Sequence, residues 1–148
     1  MLLGRAIAIT FSLYALSNAA ETNPLKGIWH VSATDMADCT CTGTTPGEIH
    51  EYTWRVEPVG DVSVHVDVQG ETGFPRLFGI WNAKTRTLVL NGYYTENSGA
   101  CWFKLNLQKD GTFKGVRRYI GREESPDHRP CFVDYAVSGK RLSTVLEK

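Results

Sequence analysis

Four cysteines, Cys39, Cys41, Cys101 and Cys131, are the residues of this chain with the widest choice of chemistry. Thiols form disulfides, bind metals or carry redox reactions, and the redox compartment decides among these. Cys39-Thr40-Cys41 together with Cys101, Cys131, His50 or His128 has the residue types of a tetrahedral thiolate site, but its spacing is not the Cys-x-x-Cys of a zinc ribbon. The segment before them favours the first option. Residues 1–19 carry one early positive charge, Arg5, then an apolar stretch from Ala6 to Leu16, then Ser17-Asn18-Ala19, a small-x-small cleavage pattern. The stretch is too short to cross the ~30 Å of a bilayer's hydrocarbon core, so it reads as a cleaved export signal rather than an anchor. Secretion or delivery to a periplasm is expected, and in such an oxidising compartment an even number of cysteines implies two disulfides.

Arg117 is the second residue with chemical reach. It lies in Thr112–Tyr119, where Phe113, Gly115, Arg117 and Tyr119 fall on one face of a strand and Lys114, Val116 and Arg118 on the other. If Phe113 points into a core, Arg117 points in beside Tyr119. A guanidinium among apolar groups needs an anion or a carbonyl. With Tyr135 it forms a candidate clamp for a carboxylate or another polar ligand head, and Tyr52 and Trp54, which share a face of their own strand, add an aromatic wall. The alternative counter-charge is a protein acid such as Glu51 or Asp134.

Other chemistry is thinly represented. The chain has no Gly-x-Ser-x-Gly elbow, no His-Glu-x-x-His and no phosphate loop, so no catalytic residue, cofactor or resident metal is named. Charge is balanced at 16 basic and 16 acidic residues. Nucleic acids and anionic membranes require clustered positive charge, which makes both unexpected partners.

The elements that must position these residues are strands almost throughout. Asp61–Val68 alternates strictly, with Val62, Val64, Val66 and Val68 on one face. Seven further runs have strand character: 27–32, 49–57, 74–81, 87–94, 101–107, 112–119 and 131–137. In the run 101–107, Phe103, Leu105 and Leu107 share the inner face; in 131–137, Val133, Tyr135 and Val137 do so. The connections alternate between tight turns (58–61, 82–85, 109–111) and long loops (33–48, 69–73, 95–100, 120–130). In a meander, alternate connections lie at the same end. The pattern therefore predicts one all-β domain, residues 20–148, folded as an up-and-down antiparallel barrel of eight strands with one tight end and one open end.

Gly27-Ile28-Trp29, in the first strand of this exported eight-stranded pattern, resembles the Gly-x-Trp opening of the lipocalins and the wider calycin group. The resemblance implies that Trp29 plugs the closed end and that a basic residue at the end of the last strand, Arg141 or Lys140, packs across it. It covers architecture and names no substrate. The chain departs from the family in having Gln108-Lys109-Asp110-Gly111 before the seventh strand and a short tail after the eighth.

Strand parity then places all four cysteines at the open end. The expected bridges join Cys39 and Cys41 to Cys101 and Cys131, in either order. The functional expectation is interior binding of a small hydrophobic or amphipathic molecule. The competing expectation is a protein-binding module, such as a secreted hydrolase inhibitor, working through the stapled open-end loops.

Overall fold

The computed structural model describes residues 23–70, 74–94, 99–122 and 129–145. The expected export leader, residues 1–19, and the segment containing His128 lie outside them. Eight strands follow in order: β1 (Gly27–Asp35), β2 (Ile49–Val59), β3 (Ser63–Gln69), β4 (Arg76–Asn82), β5 (Thr87–Tyr93), β6 (Ala100–Leu107), β7 (Thr112–Arg122) and β8 (Pro130–Ser143). Each pairs antiparallel with its neighbour, and β8 returns to β1, so the sheet closes into an up-and-down barrel. Closure removes both sheet edges, which would otherwise offer unpaired backbone groups to other chains.

The alternation seen in the sequence is what the barrel uses. On β6, Cys101, Phe103, Leu105 and Leu107 are buried between outward Trp102, Lys104 and Asn106. On β8, Val133, Tyr135 and Val137 point inward, and on β3 Val64, Val66 and Val68 do so. Val62 does not belong to that set. It is 58% exposed, because β2 runs on to Val59 and the turn occupies the residues up to Val62. The last two strands are also longer than their apolar cores suggested, since β7 and β8 stay paired from Thr112↔Lys140 to Arg122↔Pro130. Gly115 marks a close approach: a side chain there would run into the carbonyl of Lys104 on β6.

The tight end is sealed from below. Trp29 is fully buried, stacks on Phe113 at 4.1 Å between ring centroids, and donates its indole N–H to the carbonyl of Leu25 at 2.8 Å. Leu25 is itself buried on the short turn that begins at Asn23. Arg141 pairs in register with Trp29, sets its guanidinium 5.7 Å from the indole and donates to the carbonyl of Pro24 at 2.9 Å. Of the two basic candidates at the end of the last strand, Arg141 is therefore the one on the tryptophan.

At the other end the loop after β1 lies along β8. Met36 N–H donates to the carbonyl of Asp134 at 2.8 Å and Thr40 N–H to that of Phe132 at 2.9 Å. The Phe132 N–H donates to Thr40 Oγ1 at 2.9 Å. This pairing brings Cys41 to Cys131, and the two form a disulfide with their Cα atoms 4.9 Å apart. The expected pair of bridges is thereby corrected to one: Cys39 and Cys101 remain thiols. Docking on β8 favours Cys41 because β8 carries Cys131. The Cys39 sulfur instead lies 2.7 Å from Thr44 Oγ1. Cys101 is buried on β6, beyond β7 from the docked loop.

Candidate functional site

The upper half of the barrel interior is organised around Arg117. Its place on the inner face of β7 follows from strand parity with Phe113, and only 2% of it is exposed. Its register partners are Phe103 on β6 and Tyr135 on β8. The guanidinium carbon lies 4.4 Å from the Tyr135 ring centroid, 4.5 Å from Phe74 and 5.7 Å from Phe103. One terminal nitrogen donates to the Tyr52 hydroxyl at 3.2 Å and the other to the Tyr94 hydroxyl through a short contact. Tyr119 packs edge-on against Tyr94, with ring centroids 4.9 Å apart. Below this layer Trp54 is fully buried and meets Phe103 edge-on at 5.2 Å.

All five residues expected at the site, Arg117, Tyr119, Tyr135, Tyr52 and Trp54, therefore belong to one interior cluster, with Trp54 in its floor. Phe74 and Tyr94 complete it. They sit at the ends of loops, where period-two alternation no longer specifies a face. The signal that pointed to them was only their aromatic character at the margins of the runs 74–81 and 87–94.

The electrostatics are unusual for a barrel core. Neither acid considered as a partner reaches Arg117. Asp134 forms a bidentate pair with Arg118, with both contacts at 2.6 Å on the outer face, and Glu51 lies 3.6 Å from His30. Among the described residues Arg117 has no carboxylate partner, and its Nε, like the indole nitrogen of Trp54, has no hydrogen-bond acceptor. Burial pulls the Arg117 pKa down, but the surrounding phenols, Tyr94 first, outweigh it and hold the group above its ordinary value. The guanidinium is thus a fixed positive charge. Burial pushes the Tyr135 phenol up to about 12, against the opposing pull of Arg117, so this ring faces the cation as a neutral hydroxyl.

Such an arrangement holds an anion well. The rings cover the guanidinium and lower the local dielectric, which strengthens any charge-assisted hydrogen bond made there. Hydroxyl groups of Tyr52 and Tyr94 already accept from Arg117 and orient it, and the side chains below it, Trp54 and Phe103, are buried and apolar. No protein-family model, curated protein or solved structure matches the chain.

Proposed function

We propose that this protein is an exported, calycin-like barrel that binds a small amphipathic molecule inside, with the molecule's anionic head on Arg117 and its apolar part toward Trp54 and Phe103. The observation that carries this reading is the buried guanidinium with no carboxylate partner among the described residues. Burying an uncompensated charge costs several kcal/mol in real proteins, so a purely structural core has little use for it. Function supplies the reason: an anionic ligand returns the missing interaction. The Gly-x-Trp plug and its arginine support the calycin-like architecture, and the disulfide supports export to an oxidising compartment.

The test is tryptophan fluorescence titration with fatty acids and aromatic carboxylic acids, using Trp54 as the reporter inside the barrel. Binding is expected in the parent protein and lost in Arg117→Ala and in the longer, apolar Arg117→Met. The methionine variant is also expected to match or exceed the parent's Tm, because it relieves a buried charge while filling most of the volume. Equal binding by both variants removes Arg117 from the site.

A second reading, recognition of a protein by the open-end loops, is supported by the docking of residues 36–41 on β8 and their bridge to Cys131. A loop held this way gives up little conformational freedom on association.

A further inference from the structure

The rim of the open end carries a second cluster of chemically capable groups, next to the arginine chamber, since His50 meets the Tyr135 ring edge-on at 5.8 Å. Thr45-Pro46-Gly47-Glu48 forms a tight turn: Glu48 N–H donates to the carbonyl of Thr45 at 2.9 Å, proline takes the second position, and Gly47 has the φ of +86° that a type II turn needs at its third. The turn folds back on the end of β1. Asp35 N–H donates to the carbonyl of Glu48 at 2.9 Å and Gly47 N–H to that of Asp35 at 3.0 Å. Glu48 and His50 are two residues apart on the approach to β2, so they share the side on which Tyr52 and Trp54 enter the barrel. Asp35 shares the inward face of β1 with Val31 and Ala33.

Three side chains therefore converge at the mouth. His50 Nε2 lies 2.9 Å from Asp35 Oδ1, and one donor atom from each of Asp35, Glu48 and His50 lies within 4.8 Å of the others. The Asp35 side chain is only 3% exposed, and among the described residues its ion-pair partner is His50. An imidazole carries at most one positive charge, against two carboxylates. The dehydrated member is Asp35, where compensation is worth most, while Glu48 approaches it from the exposed side and His50 is half-buried.

We propose that Asp35, Glu48 and His50 bind a divalent transition-metal ion of the zinc type at the barrel mouth. One imidazole nitrogen and two carboxylate oxygens form a borderline donor set of the kind zinc accepts, with room for a fourth ligand from solvent. Zinc–ligand distances of about 2.0–2.2 Å require donors roughly 3.3–3.6 Å apart in a tetrahedron, so the His50–Asp35 pair at 2.9 Å opens slightly and the wider spacings, which reach no more than 4.8 Å, close. The bound ion clips the end of β1 to the start of β2, beside the disulfide-anchored loop. This site is independent of the reading given for Arg117.

The experiment is isothermal titration of the oxidised, metal-stripped protein with zinc chloride, paired with thermal melts. Saturable one-to-one binding and a rise in Tm on zinc addition are expected, with affinity weakened more than about tenfold in Glu48→Gln and in His50→Ala. Glu48 is exposed, so its variant keeps the barrel intact and carries the decision. Undiminished binding in Glu48→Gln, or no saturable binding by the parent, overturns the site.

Discussion

Arg117 and Tyr135 show how one buried pair of side chains couples stability to pH. The arginine is costly to hold in the core, and the tyrosine ring against it is kept neutral by burial. That burial has a pH signature. In the unfolded chain a tyrosine loses its proton near pH 10, whereas folded Tyr135 keeps it to about 12. Over this window the folded state binds the extra proton. Stability is therefore fully present below about pH 10 and declines as pH rises toward 12, by on the order of 2 kcal/mol from this one group. Urea midpoints of the metal-stripped protein between about pH 9 and 11.5 are expected to fall more steeply in the parent than in Tyr135→Phe. Parallel slopes would place the phenol in water rather than in the core.

At the scale of elements, the loop after β1 behaves as an extension of the sheet. Its hydrogen bonds to Asp134 and Phe132 align Cys41 with Cys131, and the bond then closes a sequence separation of 90 residues. In the chain-entropy view a crosslink of this span stabilises by about 4–5 kcal/mol, since it removes so much freedom from the unfolded chain. The double variant Cys41→Ser/Cys131→Ser is expected to lose several kcal/mol in chemical unfolding while retaining its far-ultraviolet β signature. Alkylation of the unfolded, unreduced parent is expected to add two labels, on Cys39 and Cys101. Under native conditions Cys39 should react first, because Cys101 is buried. Zero labels would reveal a second bridge.

For the whole molecule, closure is the property that matters. The β1–β8 pairing joins residues at opposite ends of the sequence, and Trp29, Phe113, Arg141 and Leu25 pack together only once that pairing exists. The core runs without a break from this plug to the aromatic layer around Arg117. A barrel built this way should unfold as one unit. Tryptophan fluorescence, dominated by buried Trp29, Trp54 and Trp81, is therefore expected to trace the same denaturant curve as the far-ultraviolet signal. Two separated transitions would mean that the plug and the upper chamber are independent.

The sequence by itself determined the strand count, the direction in which most side chains point and the end at which the loops gather. These follow from local rules: a period of two, turn residues and the alternation of short and long connections. It therefore already put Tyr52 with Trp54 on one face and Arg117 with Phe113 and Tyr119 on another, leaving the inward direction of the latter conditional on Phe113. Val62 was misread because a valine beside a turn continues the alternation without belonging to the strand. Only the tertiary structure decided which groups face one another across the barrel. That Asp134 is spent on Arg118, that Tyr94 and Phe74 reach Arg117 from loop ends, that Asp35 meets His50 at the rim, and that Cys41 takes Cys131 are all matters of distance between segments remote in sequence. Local periodicity has no access to such distances, because they are set by register and closure of the whole sheet.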